Sequence, residues 1–388
     1  MKVSRMVQRA GTETAFDMLA KAKALERQGK SIIHFEIGEP DFNTPENVKE
    51  AGIKAIKENY THYAPTQGIY ELLEAVSEYI SKTRNIKVTP EEVLITPGGK
   101  DVIFSTMLSL LEEGDEAIYP NPGYPIYESA IKLVGATPVA MPLREENDFA
   151  FDRKEFEKLV TPKTRLIVIN SPANPTGGIL SYEDLEFIAD IAKKNDIMIL
   201  SDEIYSRIIY EGQFLSIASL PDMKDRTIIL DGFSKTYAMT GWRLGYAVAN
   251  KEVIEALKKV AVNSFSCVAT FVQMAGIEAL RGPQDDPERM RQEYKERRDL
   301  IVKGLNEIPG FSVKMPKGAF YAFPNVKGVH KSSKELTDYL LNEAGVCTLS
   351  GTAFGGYGEG YMRFSYATSK ENIVEGLKRV KTAIEKII

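Results

Sequence analysis

The sequence predicts an α/β protein in which a large domain with a mostly parallel central sheet is joined to a smaller α+β domain. Short apolar runs typical of strands alternate with longer amphipathic stretches through the middle of the chain. This alternation is typical of a parallel sheet covered by helices on both faces. The 388 residues also exceed what one hydrophobic core usually organises, which indicates about two domains.

Six apolar runs are the expected strands of the large domain: residues 93–95, 116–119, 165–169, 197–200, 227–230 and 244–248. Helical patterns lie between them at residues 101–111, 182–195 and 253–262. In sheets of this kind, ligands bind beyond the carboxyl ends of the strands. We therefore expect the functional residues to follow these strands directly.

A long charged helix over residues 287–306 leads into a second pattern. Beyond it we expect strands at Val313 and residues 321–323, 346–349 and 362–365, and helices over residues 334–342 and 370–386. A helix over residues 13–28 has no partner of its own and is expected to pack against this C-terminal part. The expected large domain is residues 45–285, and the small domain is formed by both termini, residues 1–44 and 286–388.

Composition and charge narrow the classes of function. The net charge of −5 gives no electrostatic reason to expect nucleic acid or an anionic membrane as a partner. No run of about 18 apolar residues occurs, and polar residues follow the N-terminus, so we expect neither a membrane span nor a signal peptide. The two cysteines lie far apart, and none of the three histidines has metal-ligand spacing. We expect a cytoplasmic protein without a metal.

The most informative stretch is residues 230–243, Leu-Asp-Gly-Phe-Ser-Lys-Thr-Tyr-Ala-Met-Thr-Gly-Trp-Arg. An isolated lysine after a strand would be read as a solvated surface cation. Here Lys235 is preceded by Ser234 and followed, eight residues later, by Arg243, among small and aromatic residues. The stretch resembles the cofactor-lysine motif of the class I and II aminotransferases.

Five further segments resemble the same family, in the expected order: residues 37–42 (IGEPDF), 96–100 (TPGGK), 170–177 (NSPANPTG), 201–205 (SDEIY) and 361–365 (YMRFS). One such motif would be weak support, but together they cover essentially the whole chain. The resemblance is to the aspartate and aromatic aminotransferase subgroup. It implies the fold type I of pyridoxal-phosphate transferases, pyridoxal 5'-phosphate as cofactor, and a homodimer with shared active sites.

The resemblance assigns the reactive end of the cofactor. Lys235 is expected to hold pyridoxal phosphate as a Schiff base and to act as general acid and base. Asp202 matches the carboxylate that holds the proton of the pyridine nitrogen, although a helix N-cap is the alternative for an Asp at the end of a strand. Asn174 and Tyr205 match the hydrogen-bond donors to the phenolate oxygen.

The phosphate is expected to bind at the start of a helix. Gly98 and Gly99 leave backbone N–H groups bare there, and Ser234 and Arg243 add a hydroxyl and a cation. Tyr63 matches the tyrosine that reaches the phosphate from the neighbouring subunit, with an ordinary core or interface aromatic as the alternative.

Three more residues match the ring and substrate sites of the family. Tyr124 occupies the place of the aromatic that stacks on the pyridine ring, where many members have Trp. Arg363 matches the arginine that binds the substrate's α-carboxylate through two parallel donors. Gly38 would let that carboxylate approach the backbone, and Asn174 is expected to contact the substrate as well.

The resemblance implies a ping-pong transfer of an amino group from an L-amino acid to 2-oxoglutarate, and aspartate is the donor that we favour. Many aspartate aminotransferases bind the distal carboxylate with a partner arginine, but residues 263–269 contain no cation. Another subgroup has a lysine where Lys100 stands; Lys100 could instead add charge at the phosphate or face solvent. Alanine or aromatic donors are the alternative, with Phe16, Phe265 and Tyr124 able to line an apolar pocket.

Two other classes share the fold. A β-lyase, a decarboxylase or a cyclopropane-forming synthase would keep the same lysine, aspartate and arginine. An amino-acid sensor would need an attached DNA-binding module, and no basic arm precedes the expected domain. An amino-donor screen against 2-oxoglutarate discriminates among these classes.

Overall fold

The computed structural model describes residues 3–388. Its strands are β1 Ile33–His34, β2 Val93–Thr96, β3 Glu116–Asn121, β4 Thr137–Pro142, β5 Thr164–Asn170, β6 Met198–Asp202, β7 Thr227–Gly232, β8 Gly245–Val248, β9 Tyr321–Ala322, β10 Val346–Cys347, β11 Leu349–Ser350 and β12 Met362–Ser365. Its α-helices are α1 Arg5–Arg9, α2 Thr14–Arg27, α3 Glu46–Lys57, α4 Tyr70–Arg84, α5 Gly99–Leu110, α6 Ile126–Leu133, α7 Arg153–Leu159, α8 Tyr182–Asn195, α9 Lys251–Ser264, α10 Thr270–Arg281, α11 Asp285–Asn306, α12 Ser333–Tyr339 and α13 Lys370–Ile384.

A seven-stranded sheet, in the order β2-β8-β7-β6-β5-β3-β4, forms the centre of the molecule. Strands β3 to β7 are mutually parallel, whereas β8 runs antiparallel to both of its neighbours. The central strands are buried on both faces, so their sequences are continuous apolar runs rather than alternating ones. The predicted α/β class with a mostly parallel sheet is confirmed.

Each of the six strands predicted for the large sheet forms, with end points shifted by at most a few residues. The sequence did not predict β4, which lies at the edge of the sheet. Its first four residues are exposed or half-buried, and it contains two prolines. Edge strands tolerate proline because one row of backbone groups has no partner strand, so the apolar pattern that identifies a central strand is weak here.

The C-terminal part contains two small sheets, β1 with β10 and β11-β12-β9. The predicted strand at Val313 is wrong. The amide nitrogen of Val313 donates to Asn306 Oδ1 and its carbonyl accepts from Asn306 Nδ2, so a side chain satisfies the groups that a ladder would use. The single strand predicted over residues 346–349 is two strands with different partners. The helix predicted over residues 334–342 is α-helical only as far as Tyr339. A π-helical turn, Leu340–Ala344, follows it directly.

The N-terminal helix α2 packs against the C-terminal part, as the sequence predicted. Met18 and Ala22 are buried in one apolar cluster with Cys347 and Leu349. The same cluster includes residues of the large sheet, such as Ile167. Helix α2 therefore covers the junction between the central sheet and the smaller sheets.

A buried ion network joins α4 to the central strands. The guanidinium of Arg84 lies 2.8 Å from a carboxylate oxygen of Glu203 and 2.7 Å from one of Asp231, and each of the three side chains is at most 3% exposed. Burial raises the pKa of the Asp231 carboxyl to about 6, against the opposing effect of Arg84. Glu203 follows β6 and Asp231 lies in β7, so Arg84 fixes both chain segments that lead into the functional site.

We expect Arg84→Ala to lower the free energy of unfolding by about 3–5 kcal/mol, because two buried carboxylates lose their cation. Arg281→Ala is the matched control. The Arg281 guanidinium pairs with Glu74 and Glu78 on α4, the helix that also carries Arg84, but this pairing is exposed to solvent. This control should lose about 1 kcal/mol or less. Urea unfolding of the apoproteins measures both changes, and equal losses would contradict the importance of the buried network.

Candidate active site

A cavity of about 530 Å³ opens at the carboxyl ends of β5, β6 and β7. Eleven of the thirteen site residues expected from the sequence line it: Gly38, Gly99, Lys100, Tyr124, Asn174, Asp202, Tyr205, Ser234, Lys235, Arg243 and Arg363. Gly98 is not part of the lining but lies next to Arg243, which is, and Tyr63 lies on the surface outside the cavity. The sequence motifs thus meet at one place.

Asp202 is the last residue of β6 and is buried. Its carboxylate accepts hydrogen bonds from the hydroxyl of Tyr127, at 2.6 Å, and from the backbone N–H of Ile204, at 3.2 Å. Burial raises the pKa of Asp202 to about 6, although both hydrogen bonds act in the opposite direction. Turns, not a helix, follow β6, so the N-cap interpretation of Asp202 is wrong. Asp202 makes no salt bridge within residues 3–388, and a buried carboxylate of this kind is suited to a protonated ring nitrogen.

Lys235 follows β7, and its amine donates a hydrogen bond to the carbonyl oxygen of Gly38. Burial lowers the pKa of Lys235 to about 8, with Glu39 opposing this shift and Arg363 adding to it. A larger share of the amine is therefore neutral near neutral pH than in a solvated lysine. The neutral form is the one that adds to an aldehyde and accepts a proton.

The start of α5 forms an anion-binding end of the cavity. Gly98 has φ of 89°, and a Cβ at this position would lie 2.5 Å from a guanidinium nitrogen of Arg243. Glycine is needed there for both reasons. The Arg243 guanidinium is held by the carbonyls of Thr240 and Pro97, at 3.0 and 3.2 Å. Together with Ser234 and the N-terminus of α5, it provides donors and charge for a phosphate.

Two tyrosines close one side of the cavity. The hydroxyls of Tyr205 and Tyr321 lie 2.7 Å apart, and burial raises the pKa of both, so both stay protonated as possible donors. The Tyr321 hydroxyl also contacts the backbone at Gly38, where a Cβ would approach to 2.2 Å. Gly38 is therefore required for the close approach of Tyr321, a contact that the sequence did not predict.

Arg363 in β12 is buried in the cavity wall. Its guanidinium donates to Asn174 Oδ1 at 3.0 Å and to the carbonyl of Glu36, and it lies over the rings of Tyr321 and Phe354. Its Nε is buried and has no hydrogen-bond partner within residues 3–388. Buried donors are normally satisfied, so this nitrogen fits an incoming carboxylate.

The rim of the cavity carries the residues expected to meet a substrate side chain. The Lys100 ammonium lies 2.7 Å from a carboxylate oxygen of Glu13, and the Tyr124 hydroxyl lies 3.4 Å from the same oxygen. Phe16 also lines the cavity. Phe265 does not: it packs against the apolar clusters on the large sheet.

Sequence reasoning missed three residues that line the cavity, Glu13, Tyr127 and Tyr321, and also Arg84, which pairs with Glu203 and Asp231 behind it. Tyr127 lies three residues after Tyr124, about one helical turn further along the chain. This proximity was the signal that the sequence offered. Glu13, Tyr321 and Arg84 come from distant parts of the chain, and nothing in their local sequence marks them.

The chain matches the family model "Aminotransferase class I and II" over residues 30–380. It is 48% identical to an aspartate aminotransferase of Pyrococcus horikoshii, with 93% of each chain covered. It is 44% identical to aromatic-amino-acid aminotransferase 2 of Thermococcus litoralis, with 92% of each covered. The structure superposes on an aspartate aminotransferase of Thermus thermophilus with maleate at a TM-score of 0.95, with 37% identity and coverage of 99% and 100%.

The chain belongs to the class I and II aminotransferase family. It is an aminotransferase that depends on pyridoxal phosphate. No helix within residues 3–388 is long and apolar enough to cross a membrane. No group of three or more potential metal ligands occurs among these described residues.

The cavity residues fit the cofactor. Its aldehyde, ring nitrogen and phosphate need, respectively, a poorly solvated amine, a buried carboxylate and an anion site, and the cavity contains all three. The absence of a side chain at Gly98 also lets Arg243 lie against the start of α5, where its charge is available to a phosphate.

The rate at which the apoprotein binds pyridoxal phosphate covalently should rise with pH around a midpoint near 8. The reason is that burial lowers the pKa of Lys235, so its amine loses its proton well below the usual range for lysine. Absorbance after mixing measures the rate, and borohydride reduction with peptide mapping should place the label on Lys235. Lys235→Ala is the control without a label; a midpoint near 10 in the parent protein would contradict the lowered pKa.

Proposed function

We propose that the protein transfers the amino group of aspartate to 2-oxoglutarate by a ping-pong mechanism. The observation that carries this proposal is that two cations, Arg363 in the wall and Lys100 at the rim, line the same cavity as Lys235. A dicarboxylic substrate needs one cation for each carboxylate. The relatives named aspartate aminotransferase support the same choice.

The proposed roles of the cofactor-binding residues follow from their positions. Asp202 keeps the proton on the ring nitrogen, with Tyr127 holding the carboxylate in place. Asn174 and Tyr205 donate to the phenolate oxygen, and Tyr124 stacks on the ring. Gly98, Gly99, Ser234 and Arg243 bind the phosphate, with Lys100 close enough to add charge on the same side.

When bound, pyridoxal phosphate accepts the amino group and withdraws electrons from the donor's Cα. Arg363 binds the α-carboxylate and fixes the direction of the Cα–H bond, with Asn174 supporting the guanidinium. The neutral amine of Lys235 takes the proton from Cα, and its lowered pKa makes it a base at neutral pH. Donor and acceptor occupy the same cavity in turn, which is the physical basis of a ping-pong order.

An aromatic amino acid is the second candidate donor. Phe16 and Tyr124 line the cavity beside Lys100, and the Phe16 side chain is 59% exposed, so an aromatic substrate would cover apolar surface there. The Thermococcus litoralis relative is named for aromatic amino acids. A β-lyase on the same fold has no comparable support.

We also propose a homodimer with shared active sites. Tyr63 is 92% exposed, and other large apolar side chains nearby in the sequence are exposed as well, namely Ile53, Ile56, Tyr60 and Tyr70. Exposed apolar surface of this kind is typical of an interface. In this proposal Tyr63 reaches the phosphate site of the partner. We further propose residues 45–285 as the large domain and residues 1–44 with 286–388 as the small one.

For the substrate, we expect Lys100→Ala to lower kcat/KM for aspartate by about 10-fold to 100-fold, since a distal carboxylate loses its cation. The kcat/KM values for phenylalanine and alanine should change by about twofold or less, because the side chains of these donors carry no charge. Steady-state kinetics with 2-oxoglutarate as acceptor measure the three donors. Lys132→Ala, which removes an ammonium from α6, is the matched control. Equal losses for all donors would remove Lys100 from the side-chain site.

For the dimer, we expect complementation between two inactive variants. In a mixed dimer of Lys235→Ala and Tyr63→Ala chains, one site combines an intact Lys235 with an intact Tyr63 from the other chain. Roughly half of the parent activity per dimer should therefore return. Co-expression with two affinity tags isolates the mixed dimer, and each homodimer is the control. If Tyr63 served its own chain, the mixed dimer would stay as inactive as the homodimers.

A further inference from the structure

Glu13 and Glu39 are the two charged cavity residues to which the proposed function assigns no role. Seven charged side chains line the cavity: Glu13, Glu39, Lys100, Asp202, Lys235, Arg243 and Arg363. Three cations serve the aldehyde, the phosphate and the α-carboxylate. Asp202 serves the ring nitrogen, and Glu39 accepts a hydrogen bond from Thr240. The remaining cation is Lys100, and Glu13 is its partner.

The position of Glu13 directs its side chain into the cavity. Glu13 precedes α2, where a side-chain oxygen often accepts a hydrogen bond from the first turn of the helix, but its carboxylate makes no such bond. It instead lies 2.7 Å from the Lys100 ammonium and 3.4 Å from the Tyr124 hydroxyl. The carboxylate therefore occupies the place beside Lys100 that the distal carboxylate of a substrate would take.

The ion pair is weak enough to be exchanged. The Lys100 side chain is 39% exposed and the Glu13 side chain is 21% exposed. Ion pairs that are open to solvent contribute about 1 kcal/mol or less. Breaking this pair to admit a substrate carboxylate therefore weakens substrate binding by about fivefold or less. A substrate carboxylate can thus displace Glu13 at a small cost, while an uncharged side chain leaves the pair intact.

We propose that Glu13 is a specificity-determining residue. Its carboxylate neutralises Lys100 when the donor has an uncharged side chain, and the distal carboxylate of a dicarboxylic substrate displaces it. An aromatic donor then meets Phe16, Tyr124 and a neutral ion pair rather than a bare ammonium. One cavity accepts both substrate classes, and Glu13 determines the ratio of its affinities for dicarboxylic and aromatic substrates. The inference rests on the proposed function in that Lys100 is the group that meets the distal carboxylate.

The test uses the holoenzyme and two unreactive ligands. Succinate represents a dicarboxylic substrate and 3-phenylpropionate an aromatic one, and titration calorimetry measures both affinities. In Glu13→Gln we expect succinate to bind about fivefold more tightly, because it no longer competes with an internal carboxylate. Binding of 3-phenylpropionate should change by about twofold or less. Glu13→Ala should shift the ratio of the two affinities in the same direction.

Glu128→Gln is the matched control. It removes one carboxylate from an ion pair of similar exposure on α6, outside the cavity, and should change neither affinity. An unchanged ratio of succinate to 3-phenylpropionate affinity in Glu13→Gln overturns the inference, even if the parent enzyme transaminates aspartate. If the parent does not use aspartate but the ratio shifts as expected, the proposed substrate is wrong and the role of Glu13 stands.

Discussion

The parallel register of β5, β6 and β7 is the constraint on which the active site depends. Asn170 pairs with Asp202, and Asp202 pairs with Leu230, so the three strands end at nearly the same level of the sheet. The loops that follow them carry Asn174, Tyr205 and Lys235. A slip of one residue in either pairing would turn the Asp202 side chain to the opposite face of the sheet. The hydrogen-bond ladder thus aligns groups that lie far apart in the chain.

The buried ion network of Arg84, Glu203 and Asp231 stabilises this register. Arg84 forms hydrogen bonds with Glu203 and Asp231. Glu203 directly follows Asp202 in the chain, and Asp231 lies four residues before Lys235. Such a network is costly to bury, and its geometry is satisfied only when both strand ends are in place. The same elements that stabilise the fold therefore also orient the residues that line the cavity.

Most of the site could be predicted from the sequence because its residues belong to short motifs that lie within strands or directly after them. Lys235, Asp202 and Arg363 are of this kind, and the structure brings them into one cavity. Contacts across the fold could not be predicted: Glu13 meets Lys100 over 87 positions, and Tyr205 meets Tyr321 over 116. Strand β4 and the irregular chain at Val313 were missed or misassigned, because edge position and side-chain hydrogen bonds determine them rather than apolar periodicity.

The pairing of β1 with β10 has a consequence for the order in which the protein acquires its function. Ile33 lies opposite Val346, and Arg363 comes later still. The last strand of the central sheet, β8, ends at Val248, whereas the cavity wall that contains Arg363 requires almost the entire chain. Phe320 and Arg363, from this later part of the chain, lie beside Lys235, so the buried environment that lowers the lysine's pKa and the wall that contains Arg363 arise together, only when nearly the whole chain has folded.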